Sequence, residues 1–287
     1  MSEAPPRINS GTNDRWRPPA TDWAFYTGLI ILGGSYLLFI LAMLAADAYF
    51  VFFNPKNNVD VADVLFFADM AYSIKLSLIS CCVTTILSLW CAVPIGYFMS
   101  RHNFFGKSLI DAMLDIPIVL PPLVIGLSLL ILFRHTPLRA VDDMFGIAFH
   151  IPAVIIAQFS VACAFAVRTL RGTFDEIPKR REQVALTLGC SRSQAFWAVV
   201  MPESKRGLLT AATLAWARSL GEFGPILIFA GTTRGWTDVL PIAVHMEISA
   251  GRLGAAVVIS LMMVAIAMTV LISFRLLVGR SLVPKLN

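Results

Sequence analysis

Apolar residues gather into six long runs along the chain, at about 24–46, 72–99, 110–133, 147–170, 208–231 and 253–274, with polar stretches between them. An α-helix needs about 20 such residues to cross the hydrocarbon of a bilayer. The pattern therefore predicts an all-α, polytopic membrane protein of about six transmembrane helices. The first run is long and lacks an A-x-A-like cleavage site, so it is expected to be a retained helix rather than a signal peptide. Residues 1–20 are polar and carry Pro5, Pro6, Pro18 and Pro19, the composition of a disordered tail. The expected divisions are this tail, a first helix and loop over 21–70, a core over 71–280 and a short tail at 281–287.

Two runs are interrupted by residues that hydrocarbon does not readily accept. The third contains Pro117, Pro121, Pro122 and Gly126. Each proline removes a backbone donor, and the freed carbonyls need protein or water partners. A bent helix facing the bundle interior and lining a pore is expected. The fifth run contains Arg218 and Glu222, four residues apart and so on one helix face. Arg218 lies ten residues beyond Leu208, about 15 Å along the helix and near the bilayer centre. There a lone charge costs from a few to more than about ten kcal/mol. The pair is expected to face inward. It either pins helix packing or lets Arg218 offer its planar guanidinium to a passing oxyanion, with Glu222 orienting it. After this run, Leu240-Pro241-Ile242-Ala243-Val244 suggests a short, half-buried helix.

Composition supports the membrane reading. The chain is 57% hydrophobic and 14% charged, against about a quarter charged in soluble domains, and its mean hydropathy is +0.74. The formal charge of +5 could suggest a nucleic-acid partner, but the basic residues sit in the loops between apolar runs. With the N-terminus inside, 16 of the 23 Lys and Arg fall on the inner side and five (Lys56, Arg134, Arg139, Arg234 and Arg252) on the outer. The positive-inside rule then places both termini in the cytoplasm.

Catalytic chemistry is not visible. His102, His135, His150 and His245 are scattered, and neither H-E-x-x-H nor G-x-S-x-G occurs. Gly106-Lys107-Ser108 ends like a P-loop, but the leading glycine position holds Arg101. Cys81, Cys82, Cys91 and Cys163 lie in apolar runs and Cys190 in a basic loop, with no C-x-x-C pair, which favours packing over metal binding. No catalytic, cofactor or metal site is expected.

The basic loop at about 173–205 is patterned. It reads Glu182-Gln183-Val184-Ala185-Leu186-Thr187-Leu188-Gly189 and runs on through Cys190-Ser191-Arg192-Ser193-Gln194-Ala195-Phe196-Trp197-Ala198 to Val199-Val200-Met201-Pro202. Gly189 suits a helix C-cap of positive φ. Ser191 with Gln194 forms a capping-box pattern for a second helix. That helix would present Ala195, Phe196 and Val199 as an apolar face, and Pro202 would end or kink it. A cytoplasmic helix pair of this kind suits docking of a partner.

This loop resembles the EAA loop of ABC importer permeases, whose pattern is E-A-A, three residues, G, nine residues, I-x-L-P. Nine residues separate Gly189 from Val199, and Pro202 falls at the proline. The departures are Gln183 at the Glu position, with Glu182 just before it, Val184 at the first Ala and Met201 at the Leu. Arg218-Ser219-Leu220-Gly221-Glu222-Phe223-Gly224, followed by Ile228-Phe229-Ala230-Gly231, resembles the fifth-span signature of oxyanion permeases, molybdate and tungstate ahead of sulfate. Leu120-Pro121-Pro122 with Gly126 is similar to the same group, and the likeness covers roughly 70–280.

The resemblance implies a type I ABC importer fold, two permease copies forming a pore in a bacterial inner membrane, and cytoplasmic ATPase subunits gripping the loop helices. It also implies a periplasmic or lipid-anchored binding protein that delivers the substrate. By resemblance, Glu182, Gln183, Ala185, Gly189 and Pro202 are the candidates for ATPase coupling. Arg218, Glu222, Pro121 and Pro122 are the candidates for the pathway or its packing. Sulfate, thiosulfate or another small solute is the alternative cargo. A secondary transporter is the rival class, since it would need no docking loop and would couple through intramembrane acids such as Glu222.

Overall fold

The computed structural model describes residues 23–53, 68–135 and 138–280. The expected tails at 1–20 and 281–287 and most of the first loop lie outside the described residues. The chain up to Phe53 forms one unit and the chain from Asn54 another. The described part of the first unit is a helix of 31 residues, α1 (Trp23–Phe53), with apolar residues on every side. Its large side chains are exposed, as a surface built for hydrocarbon would be.

The described residues of the second unit form helices joined by loops, with no strand among them. In order it contains α2 (Ala68–Arg101), α3 (Lys107–Val119), α4 (Pro122–His135), α5 (Arg139–Phe145), α6 (Ile151–Glu176) and α7 (Lys179–Thr187). There follow α8 (Arg192–Ala195), a π-helical turn over Phe196–Val200, α9 (Met201–Glu203), α10 (Lys205–Leu220), α11 (Gly224–Phe229), α12 (Leu240–Ser249) and α13 (Leu253–Arg280).

Helices α2 and α6 pack side by side at the centre of this unit. Small residues let their backbones approach closely. On α6 these include Ala153, Ala157, Ala162 and Ala166, all fully buried. On α2, Ser73, Ser77, Ser80, Thr84 and Ser88 form a stripe at three- and four-residue spacing, and all are buried. Membrane helices use small residues in this way because lipid supplies little hydrophobic drive for their association. Larger groups then fill the spaces: Phe174 and Leu170 at one end, Ile226 and Phe229 at the other, and Trp216 with Leu240 between α10, α12 and α13.

Among the described residues, four helices are long and apolar enough to cross a membrane singly: Phe25–Phe53, Met70–Arg101, Ile151–Glu176 and Leu253–Leu276. The third expected run is bent, as its prolines require. Leu120 adopts extended backbone before Pro121, and α3 and α4 meet at 109°. As one broken span they make a fifth crossing. The fifth expected run, 208–231, is continuous in hydropathy but not in structure. It is split into α10 and α11 at Gly221–Phe223, because Gly221 caps α10 and Pro225 opens α11. The helix expected near 240–244 is present as α12 and is half-buried, with Leu240 and Ile242 enclosed and Ile248 and Ser249 exposed.

Candidate functional site

The loop helix pair is built around a corner where α2, α6 and α7 meet. Helix α6 ends at Glu176, Ile177 is extended, and Pro178 caps the start of α7. Arg101, the last residue of α2, reaches into this corner. Its Nη1 donates to the carbonyls of Phe174 at 2.9 Å and Ile177 at 3.2 Å, and its Nε donates to Glu182 at 3.1 Å. The Tyr97 hydroxyl donates to the other Glu182 oxygen. The Phe174 carbonyl, which also accepts the Ile177 N–H at 3.3 Å, and the Ile177 carbonyl are thus bound by a cation at a helix C-terminus. Glu182 accordingly ties α7 to α2 and faces into the protein.

Helix α7 ends in a Schellman motif. Gly189 has φ 91°, its N–H bonds to Leu186 O at 3.1 Å, and the Cys190 N–H bonds to Ala185 O at 3.1 Å. The expected capping box is present in both directions: Gln194 N–H donates to Ser191 Oγ at 3.3 Å, and Ser191 N–H donates to Gln194 Oε1 at 2.8 Å. Pro202 has no N–H, and the turn just before it widens to π pitch, with Met201 N–H bonded to Phe196 O.

Of the residues singled out for docking, Gln183, Gly189 and Pro202 are exposed, whereas Ala185 is buried and Glu182 engaged. The expected face of Ala195, Phe196 and Val199 also turns inward, with Phe196 packed edge-on against Tyr97 at 4.7 Å. The apolar surface left open is instead Val184, Leu188 and Trp197, at 51%, 79% and 63% exposure. Val184 and the cap residue Leu188 are four residues apart at the end of a polar helix, a spacing visible in the sequence.

The second region lies at the break between α10 and α11. Arg218 Nη1 lies 2.6 Å from Glu222 Oε2, with side chains 29% and 1% exposed. The shared helix face expected from their spacing is not what joins them, because α10 ends at Leu220 and Glu222 sits in the break. Neither Glu222 oxygen makes a well-oriented hydrogen bond, so the contact is charge against charge. The Arg218 guanidinium lies 5.7 Å from the centre of the Phe165 ring.

Gln158 stabilises the same break. Its amide donates to Ser219 O at 3.2 Å, and Thr84 Oγ1 donates to its carbonyl at 3.1 Å. A carbonyl near the end of α10 is thereby held by α6 and α2. Gln158 is 2% exposed and was missed, since one polar residue in an apolar run carries little signal.

The two proline-rich stretches also meet here. A Cβ at Gly224 would lie 2.7 Å from Pro122 Cβ, and one at Gly126 would lie 2.8 Å from Pro225 Cα. So α4 and α11 cross glycine to backbone, next to the Arg218–Glu222 pair in sequence. The arrangement provides one partly open guanidinium, a buried counter-charge and a backbone break between packed half-helices. An anion could exchange with the carboxylate there, and the helices could also be held by the pair alone. Nearer the loop, Asp111 pairs with Arg171, and Asp115 with Arg168 at 2.5 Å, joining the otherwise unburied α3 to α6.

A family model described as the binding-protein-dependent transport system inner membrane component matches residues 92–283. Among curated proteins, the molybdate/tungstate transport system permease protein of Thermococcus kodakarensis is 29% identical over 243 residues, 84% of this chain and 93% of its own. The molybdenum transport system permease protein of Haemophilus influenzae is 34% identical over 177 residues, 60% of this chain and 77% of its own. A sulfate transport system permease protein of Synechocystis is 30% identical over 248 residues, 82% of this chain and 88% of its own. Among solved structures, a bacterial ABC transporter that imports the acidic polysaccharide alginate matches with a TM-score of 0.69 at 16% identity, over 92% of this chain and 97% of that one. That likeness is one of fold.

Proposed function

The chain belongs to the binding-protein-dependent transport system inner membrane components, the permeases of ABC importers, and from that membership we propose that its cargo is an oxyanion, molybdate or tungstate. The observation that carries this reading is the likeness to a molybdate/tungstate permease over 84% of the chain. Arg218 at a helix break offers a suitable group, because a planar guanidinium matches the oxygens of a tetrahedral anion. Its neighbour Glu222 would keep binding weak enough for release. Sulfate is the second reading, favoured by the sulfate permease that matches over 82% of the chain. Uptake into vesicles holding the complex and its binding protein separates the two. Molybdate or tungstate uptake undiminished by a hundredfold excess of sulfate is expected. Sulfate uptake that molybdate fails to compete would reverse the order.

In this proposal the chain hydrolyses no ATP. A separate cytoplasmic ATPase docks on α7, a binding protein delivers the anion from the other side, and two copies of the chain enclose the path. Both termini lie in the cytoplasm, the orientation that puts most of the basic residues inside. The docking surface is the exposed set Gln183, Val184, Leu188 and Gly189, while Glu182 and Ala185 hold α7 in place beneath it.

Gly189 tests the docking surface. A Cβ there meets nothing within 4 Å, so any penalty comes from its φ of 91° rather than from a clash. Valine at positive φ costs about 1–2 kcal/mol and would unwind the motif, whereas asparagine tolerates that conformation. Gly189→Val should therefore lose most binding-protein-stimulated ATP hydrolysis, and Gly189→Asn should keep most of it. Normal stimulation in the valine variant would remove α7 from the coupling surface.

A further inference from the structure

A groove of about 870 Å³ runs along the last part of α2, roofed by α7 and by the π-helical turn. Its polarity changes along its length. The deep end is formed by Leu89, Trp90, Val93 and Pro94, and the mouth by His102, Lys179 and Arg192. Leu89 precedes Arg101 by twelve residues, so the groove follows α2 for about 18 Å from its end. That stretch belongs to a helix apolar enough to cross the membrane. Trp90 and Trp197, which line it, are 76% and 63% exposed, so the groove is open at its surface.

The charge at the mouth is uncompensated. Glu182 is the one acidic residue lining the groove, and it is taken by Arg101 and Tyr97. Lys179 and Arg192 are exposed and form no ion pair among the described residues. We propose that this groove is a binding site for an anionic phospholipid, with an acyl chain along Leu89–Pro94 and the phosphate between Lys179 and Arg192. The occupant must be apolar for about 8 Å along Leu89–Pro94, counted from the helix rise, and anionic at its outer end. A phospholipid has that build, and its chain lies at the depth of Trp90, where a water-soluble ATPase does not reach. Each basic side chain near an anionic headgroup strengthens the association several-fold. Because Lys179 opens α7 and Arg192 opens α8, a lipid there would brace the loop pair against α2.

The test uses the full chain, purified from nanodiscs of equimolar phosphatidylglycerol and phosphatidylcholine, with retained lipid counted by native mass spectrometry. Wild-type protein should retain phosphatidylglycerol roughly tenfold over phosphatidylcholine, the preference two basic side chains can supply. The Lys179→Gln/Arg192→Gln variant should lose that preference. Trp90→Ser should retain less of both lipids. Both variants alter exposed side chains, so the fold should survive, and a melting curve checks this. Equal retention of the two lipids by wild-type protein would overturn the proposal, as would an unchanged preference in the double variant. Trp90→Ser that kept its lipid but shed a bound ATPase, or dissociated into single chains, would assign the groove to that protein or to a second copy.

Discussion

A single methyl group added at Gly126 is expected to lower the melting temperature and the yield of folded protein. The new Cβ would lie 2.8 Å from Pro225 Cα and 3.0 Å from its carbonyl oxygen, and backbone cannot rotate aside. Helices α4 and α11 would have to separate, at a cost of about 3 kcal/mol, the upper part of the range for overpacked cores. That is a large share of a total stability of roughly 5–15 kcal/mol. Gly207→Ala should behave alike, because its Cβ would fall 2.6 Å from Thr173 Cβ. Gly172→Ala is the control. It lies within α6 with open space around it, so alanine should be neutral or stabilise by about 0.5–1 kcal/mol. Melting temperature and monodisperse yield in detergent report the outcome. A Gly126→Ala protein that melted with the wild type would mean that α4 and α11 do not cross as closely as described.

Arg218→Gln is expected to be more damaging than Glu222→Gln, and the reason is the asymmetry of burial. Removing the arginine leaves a carboxylate that is 1% exposed and has no hydrogen bond. Breaking a buried pair in this way costs about 3–5 kcal/mol. Removing the glutamate leaves an arginine that is 29% exposed and still rests on Phe165. The double variant Arg218→Gln/Glu222→Gln buries no charge and should recover assembly to near the wild-type level. Uptake then separates the two roles. Recovered assembly with uptake below a tenth of wild type places Arg218 on the anion path. Recovery of both makes the pair architectural and removes it from the proposed route. Equal damage from the two single variants would contradict the burial asymmetry itself.

The loop pair was the part of the site most legible in sequence, because its signals are local. A glycine that caps a helix and a Ser–Gln box act within a few residues, so Gly189, Ser191 and Gln194 could be assigned without knowing what lies nearby. The side of each helix that faces outward could not. Phe196 meets Tyr97, and Glu182 meets Arg101, across separations of about a hundred and 81 residues. Those partners turned the expected docking face inward and left Val184, Leu188 and Trp197 outside.

The break near Arg218 shows the same division. Hydropathy averages over a window, and 208–231 is apolar enough to read as one helix. Gly221, Gly224 and Pro225 were visible within it, but each is compatible with a continuous membrane helix when neighbours supply the missing hydrogen bonds. Here Gln158, 61 residues away, supplies one of them at the end of α10.

Hydrophobic periodicity, proline positions and capping residues thus determined which stretches are helical, where the third run bends and how α7 ends, since these depend on backbone sterics and on burial of apolar surface near in sequence. Only the tertiary structure decided that the fifth run is two helices, that Gly126 and Gly224 lie against opposing backbone, and which carboxylates are spent on internal pairing. Those outcomes depend on contacts between residues far apart in the chain, where packing and charge pairing select among local conformations of similar energy.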